Sequence, residues 1–115
     1  MVRVYIASPY WHENYFVRCE NVMRQQEAAD ALISAGYAPF WPLHSHYLAQ
    51  SFPRDEKVWL ALSIEWIKAC DFLVRLDGPS KGGDAEVAFA QSIDVLVFFG
   101  LDDLARNCPQ IPDHV

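Results

Sequence analysis

Glu86 is the residue whose type and surroundings most directly suggest chemistry in this 115-residue chain. It lies in the segment GGDAEVAFA, residues 82–90, where every other residue except Asp84 is glycine or apolar. An apolar run at 72–74 and a polar turn at 77–81 precede it, which predicts a strand, a glycine-rich loop and a helix with Glu86 in its first turn. A helix apolar on nearly every face is usually buried, and a buried carboxylate is costly unless a partner compensates its charge. We therefore expect Glu86 to have a chemical role.

The glycine-rich segment before Glu86 suggests what that role is. Gly82 and Gly83 allow a ligand to approach the backbone closely, and the free N–H groups of a helix start favour an anion. The same positive end of the helix should keep Glu86 ionised, as a nucleophile requires. A carboxylate facing an anomeric carbon can form a covalent glycosyl intermediate or stabilise oxocarbenium character during direct hydrolysis. The alternative is that Glu86 only satisfies N–H groups of the first turn.

Alternating strand and helix patterns must position this segment. Strands are predicted at 2–7, 37–42, 72–76 and 95–99, and helices at 14–35, from 54 or 55 to 70, at 84–92 and at 101–106. The β-branched and aromatic first strand is typical of a buried parallel strand, whereas two prolines place the second near an edge. Because strands that alternate with helices indicate right-handed crossovers, we expect one α/β domain over 1–115. Its small, doubly wound parallel sheet should carry helices on both faces.

Ligands in such folds bind beyond the carboxyl ends of the strands, so three loops are candidates for the site. The loops cover residues 8–14, 43–52 and 77–83. Asp77 lies where ligand contacts collect, and a structural role is equally open for it. His44 and His46 could recognise a base or act as an acid, but no further ligand at matching spacing supports a zinc site. Tyr10 could stack on a base, or pack in the core or a subunit interface.

Two motifs make the chain resemble a known superfamily. The run VYIASPY, residues 4–10, opens the chain, and DFLV, residues 71–74, leads to SKGGDAE, residues 80–86. In their order, over residues 2 to about 99, they resemble the nucleoside 2-deoxyribosyltransferase superfamily, which includes 2'-deoxynucleoside 5'-phosphate N-glycosidases. The resemblance implies a flavodoxin-like (Rossmann-like) fold, cleavage of an N-glycosidic bond, a nucleoside or nucleotide as partner, and no cofactor.

The resemblance also implies roles for individual residues. Glu86 matches the nucleophilic glutamate, and Tyr5 matches the tyrosine common in the opening motif. Ser80 matches a residue that contacts the sugar or its 5'-phosphate. Ser8, with Pro9 and Tyr10 beside it, lies in the first loop, which contacts substrate.

One position departs from the pattern. Many members of the superfamily carry an aspartate eight residues before the acid that opens the third strand, and this chain has Ser63 there. Asp77 or Glu56 could substitute for it, or the activity could differ or be lost. A non-catalytic nucleotide- or nucleotide-sugar-binding module is therefore the alternative function, and a structural oligomer with a Trp-rich surface is the third.

Composition limits the partners and the compartment. A net charge of −6 without a Lys/Arg cluster argues against a polynucleotide partner. Three widely spaced cysteines favour reduced thiols, and no apolar stretch is long enough to span a membrane, so we expect a cytoplasmic protein. Small domains of this superfamily usually complete the active site from a neighbouring subunit, which implies a homo-oligomer with the site near its interface.

Overall fold

One parallel sheet organises the computed structural model, which describes residues 1–108. Its strands are β1 (Arg3–Ala7), β2 (Ala38–Phe40), β3 (Phe72–Arg75) and β4 (Leu96–Phe99), in the order β2-β1-β3-β4. The helices of this part are α1 (Tyr15–Ser34), α2 (His46–Ser51), α3 (Glu56–Lys68), α4 (Lys81–Ser92) and α5 (Leu101–Asn107). The doubly wound, flavodoxin-like α/β fold predicted from the sequence is confirmed. The proline-bearing tail, residues 109–115, lies outside the described residues.

The sequence of each strand explains its place in the sheet. β3 is buried at every position, and β1 at every position after Arg3, because their continuous apolar runs are covered on both faces. β2, which contains Pro39, lies at an edge as predicted. The direction of strand addition reverses between β1 and β3, and this switch point is where ligands of doubly wound folds bind.

Two apolar cores lie on opposite faces of the sheet, as alternating side chains require. On one face, Val4, Ile6 and Val74 pack against α1 and α5. On the other, Tyr5 and Leu73 pack against residues of α3 and α4, which include Ile67 and Ala90. Helices on both faces are thereby confirmed, and every side chain of β1 has a defined face.

α1 agrees with its prediction at both ends. Asn14 caps its start by accepting a hydrogen bond from the Phe16 N–H, and Gly36 follows its end with a φ of 92°. Glutamine is usually exposed in folded proteins, whereas Gln25 of this helix is only 1% exposed. Gln25 is buried because its side-chain amide bonds to Ser8 and to the Leu43 N–H. Helical periodicity does not reveal such contacts between distant parts of the chain.

Two predictions of local structure were wrong. Residues 43–52, expected to form a loop, fold into a 3₁₀ segment (Pro42–Ser45) and then α2. α4 begins at Lys81 instead of 84, because the Ser80 hydroxyl accepts a hydrogen bond from the Gly83 N–H at 2.9 Å and caps the helix. Gly82 and Gly83 therefore lie in the first turn of α4. Glu86 lies in the second turn and not in the first.

Candidate functional site

The side chains of Tyr5 and Glu86 meet between the sheet and α4. The Tyr5 hydroxyl donates a short hydrogen bond to Glu86 Oε2. Tyr5 is completely buried in β1, and Glu86 is half-buried. The carboxylate therefore points toward the sheet, at the strand that borders the switch point, and not into bulk solvent.

A stack of aromatic rings fixes the position of the Tyr5 hydroxyl. Phe40, the register partner of Tyr5 on β2, stacks on the Tyr5 ring with a centroid separation of 5.8 Å. Trp66 of α3 also stacks on Phe40, with a centroid separation of 4.4 Å. Because a phenol ring held in this way has little freedom to rotate, its hydroxyl stays directed at Glu86.

Burial changes the protonation of both partners. It raises the pKa of Glu86 to about 6, from an ordinary value of 4.5. Hydrogen bonds from Tyr5 and Ser63 and the positive charge of Arg75 oppose this rise by favouring the carboxylate. Burial, followed by the charge of Glu86, raises the pKa of Tyr5 well above its usual range, so the phenol keeps its proton. Glu86 lies in the second turn of α4 and not at the helix start, and burial is the largest influence on its pKa.

Ser63 of α3 joins this pair. Its hydroxyl interacts with both the Tyr5 hydroxyl and the Glu86 carboxylate. The position that departs from the superfamily pattern thus faces the proposed nucleophile. A neutral hydroxyl there spares Glu86 the repulsion that a second carboxylate would cause.

Arg75, at the end of β3, is a buried cation that anchors the adjoining loop. One guanidinium nitrogen donates a short hydrogen bond to the Leu76 carbonyl, and the other donates to the Gly78 carbonyl at 2.9 Å and to Asp84 Oδ1 at 3.1 Å. The same guanidinium packs against Gly83. It therefore joins the β3–α4 loop to the first turn of the helix that carries Glu86.

A cleft of about 560 Å³ opens at the carboxyl ends of β3 and β4. It is lined by Arg75, Leu76, Asp77, Gly78, Asp84, Phe99, Gly100 and Leu101. Its volume is in the range of small-molecule sites. Glu86 does not line it, so Arg75 is the residue that both borders the cleft and acts electrostatically on Glu86.

The first loop is held in place from the α1 side. Gln25 Nε2 donates to Ser8 Oγ at 2.8 Å, and Gln25 Oε1 accepts from the Leu43 N–H at 2.8 Å. Because the Gln25 amide donates to Ser8, the Ser8 hydroxyl proton is left to be donated elsewhere. Ser8 is nevertheless only 8% exposed.

Tyr10 is held by the second loop. Its hydroxyl lies 2.7 Å from Nδ1 of His46, which is buried among the rings of Tyr10, Tyr15 and Tyr47. Burial raises the pKa of Tyr10. His46, rather than His44, is thus the histidine that the fold connects to the first loop.

The other residues predicted for the site are placed as follows. Asp77 is an exposed partner of Arg24 on α1, which bonds both its carboxylate and its carbonyl. Ser80 and Gly83 bond to each other in the cap of α4, and Gly82 is open to solvent. Pro9 lies close to Gly78, so the first and third loops touch. His44 is exposed and packs edge-on against Phe40.

Tyr5 and Glu86 are therefore the predicted catalytic residues that the structure brings into direct contact. Asp77 is held by α1 instead. Among residues 1–108, no three His, Cys, Asp or Glu side chains gather closely enough to bind a metal ion.

Comparison with known proteins identifies the fold. No protein-family model and no curated protein sequence matches the chain. A solved structure of a 2-deoxyribosyltransferase from the psychrotolerant bacterium Bacillus psychrosaccharolyticus is similar, with a TM-score of 0.62 and 19% sequence identity. The match covers 85% of this chain and 71% of that one. The chain has a nucleoside 2-deoxyribosyltransferase-like fold.

Sequence reasoning missed Arg75 and Gln25. Arg75 was counted within an apolar strand, although a cation at the end of such a strand must find a partner, and Asp84 follows nine residues later. Nothing local marks Gln25, because its partners lie in loops 17 and 18 residues away.

Proposed function

We propose that the protein is a hydrolase or transferase that acts on the N-glycosidic bond of a nucleoside or nucleoside 5'-monophosphate, with Glu86 as the nucleophile. The observation that carries the proposal is the hydrogen bond from the buried Tyr5 hydroxyl to the Glu86 carboxylate. The fold shared with a 2-deoxyribosyltransferase supports the same class of chemistry. The hydrogen bond from Tyr5 engages Oε2 of Glu86 and orients the carboxylate, whose ionised oxygens can bond to carbon.

The reaction follows the two-step course of a retaining glycosidase. A Glu86 oxygen attacks C1' while the C1'–N bond breaks, and the departing base takes the electron pair of that bond and a proton from solvent water. Water then attacks C1' while the bond between C1' and Glu86 breaks, which releases the sugar, regenerates the carboxylate and gives a proton to solvent. When a second base attacks instead, the same bond breaks and a new nucleoside forms. Tyr5 remains protonated and keeps the carboxylate aligned.

The sugar and any phosphate would be held by the loops at the switch point. Ser8 supplies a hydroxyl proton that its neighbour Gln25 does not use. Pro9 and Tyr10 belong to the first loop, and His44 belongs to the 3₁₀ segment that follows β2. The start of α4 is formed by Ser80, Gly82 and Gly83. Asp77 borders the cleft, where it could reach a substrate hydroxyl if Arg24 released it.

Release of free base from a panel of nucleosides and 5'-monophosphates tests the proposal. The wild type should release base, and Glu86→Gln should reduce kcat by about 10³-fold or more, because it removes the attacking charge but keeps the side-chain shape. Since attack requires the ionised carboxylate, kcat/KM of the wild type should fall as the pH drops below about 6.

Glu65→Gln is the matched control, because Glu65 is an exposed glutamate paired with Lys68. It should retain wild-type turnover. The proposal fails if the wild type releases no base from any substrate, or if Glu86→Gln is as active as the wild type.

The second candidate function is a non-catalytic nucleotide- or nucleotide-sugar-binding module. The observation that favours it is Ser63, which faces Glu86 at the position where the superfamily pattern has an aspartate. Asp77, which could have substituted, is paired with Arg24. Calorimetry that shows tight nucleotide binding, together with no base release, would support this function over the first.

We further propose that the protein works as a homo-oligomer with the site near the subunit interface. Large apolar side chains remain 40% or more exposed along α2 and α3, among them Tyr47, Leu62 and Trp66. Trp66 stacks on Phe40, and Phe40 stacks on Tyr5. The exposed surface is therefore connected through these rings to the residue that bonds to the proposed nucleophile.

A cytoplasmic location is proposed from the cysteines. Cys19 and Cys70 are free thiols, as expected in a reducing compartment. Among residues 1–108 no helix has the length and apolarity needed to cross a membrane.

A further inference from the structure

Arg75 is an unusual residue for its place in the fold. It ends a central strand whose other members are apolar, and its side chain is only 8% exposed. A buried charge is tolerated when it is fully hydrogen-bonded, and a guanidinium offers five donors for that purpose. The contacts of Arg75 therefore indicate what the surrounding structure gains from it.

Those contacts all lie in the segment that leads to Glu86. The guanidinium bonds to the carbonyls of Leu76 and Gly78 and to the carboxylate of Asp84. The loop consequently folds around the guanidinium, and its far end is attached to the first turn of α4.

The fit is tight at the helix. A Cβ atom on residue 83 would lie 2.9 Å from Nε and 3.0 Å from Cζ of Arg75, so a side chain there would force the guanidinium to shift. Gly83 therefore permits the first turn of α4 to rest on the guanidinium, and the position of the helix relative to β3 depends on this contact.

Arg75 also shares a sheet face with the proposed site. Tyr5 pairs with Leu73 in the register of β1 and β3, and Ala7 pairs with Arg75. Since alternate residues of a strand point to the same side, Arg75 lies on the face where Tyr5 and Glu86 meet.

We propose that Arg75 is the positioning residue of this site: its guanidinium ties the β3–α4 loop to α4 and supplies a fixed positive charge to the carboxylate of Glu86. The groups that face Glu86 are the Tyr5 hydroxyl from β1, the Ser63 hydroxyl from α3 and Arg75 from β3. Arg75 is the cation among them, so its charge favours the ionised carboxylate that nucleophilic attack requires.

The decisive experiment is a ¹³C NMR titration of the Glu86 carboxyl, assigned by the signal that disappears in Glu86→Gln. In Arg75→Gln the titration midpoint should rise by about half a pH unit or more, because the attractive charge is gone. Arg75→Lys keeps a cation, so its midpoint should stay near the wild-type value. The kcat of Arg75→Lys should nevertheless fall by about tenfold, since an ammonium cannot reproduce the fork of bonds that ties the loop.

Arg24→Gln is the matched control, because Arg24 bonds to the same loop from the other face of the sheet. It should leave the Glu86 midpoint unchanged. If Arg75→Gln does not fold, Arg75→Met takes its place, because it also removes the cation and has an apolar side chain suited to burial. Its Glu86 midpoint should rise for the same reason.

An unchanged midpoint in folded Arg75→Gln, or in folded Arg75→Met, overturns the inference and leaves Arg75 a purely structural residue. The kcat measurement on Arg75→Lys depends on the proposed function, whereas the NMR titration of Glu86 needs no substrate. Failure of wild-type base release would therefore refute the glycosidic function without deciding the role of Arg75.

Discussion

At the scale of single residues, Glu86 is held where its charge is unfavourable. Burial raises its pKa to about 6 although two hydroxyls and Arg75 favour the charged form. An acid whose pKa is raised in the folded state destabilises the fold above that pKa, because the unfolded chain ionises more easily. The penalty is absent below the unfolded value of about 4.5 and complete above about 6.

We therefore predict that Glu86→Gln stabilises the protein in a pH-dependent manner. The gain in the free energy of unfolding, relative to wild type, should be up to about 2 kcal/mol greater at pH 8 than at pH 4.5, which corresponds to the shift from 4.5 to about 6. Urea unfolding of both proteins at the two pH values measures it. Glu65→Gln, at an exposed position, should give the same difference from wild type at both. A gain for Glu86→Gln that does not depend on pH would contradict the prediction.

At the scale of secondary-structure elements, the start of α4 decides the geometry of the site. Ser80 caps the helix, and two glycines follow Lys81 in its first turn. The surroundings require a glycine at position 83 but not at position 82. A Cβ atom at Gly82 would meet no atom within 4 Å, whereas at Gly83 it would overlap Arg75.

This difference predicts opposite effects for two neighbouring substitutions. Gly82→Ala should raise the free energy of unfolding by about 0.5–1 kcal/mol, because alanine restricts the unfolded chain and favours the helix. Gly83→Ala should lower it by about 1–3 kcal/mol, because the buried guanidinium has to move. Urea unfolding at one pH compares them, and each is the control for the other. Equal effects would show that the first turn of α4 does not rest on Arg75.

At the scale of the whole molecule, the strand order places the site and the apolar surface on neighbouring elements. Tyr5 lies beside the switch point on β1, and Glu86 approaches it from α4. Trp66, which stacks on Phe40, is itself one of the exposed apolar side chains of α3. Covering that surface with a second copy would exclude water from the ring stack that holds Tyr5.

Sedimentation velocity tests the resulting prediction of a homo-oligomer. The wild type should sediment as a dimer or larger species at micromolar concentration, and Leu62→Lys should shift it toward a 13.1 kDa monomer, because a charge would be buried in the interface. Gln26→Lys adds the same charge on the exposed face of α1 and should leave the assembly intact. A wild type that sediments only as a 13.1 kDa monomer would refute the prediction.

The amino-acid sequence by itself determined the class of fold and the order of the two motifs on which the family resemblance is based. Apolar runs with turn residues between them set four strands and the long helices, because burial against a sheet requires those patterns wherever they occur. Glu86 was recognisable for the same reason, since an acid in an apolar helix needs a partner. The helical 42–51 segment and the start of α4 at Lys81 were not recognisable. Their local signals, aromatic and histidine side chains in one case and glycines in the other, are weak in isolation and are overridden by tertiary contacts.

Only the tertiary structure decided which residues surround Glu86. Tyr5 lies 81 residues away in the chain, and Ser63 and Arg75 belong to two further elements, so no spacing along the sequence encodes their meeting. The strand order brings β1 beside β3, and close packing of α3 and α4 on one face brings their side chains to the same carboxylate. Asp77 instead pairs with Arg24 of α1, on the opposite face of the sheet. A residue just beyond a strand end can turn to either face, so its partner is decided by the tertiary structure. The protonation of Glu86 follows from that burial, which is a property of the folded chain and not of the helix that carries it.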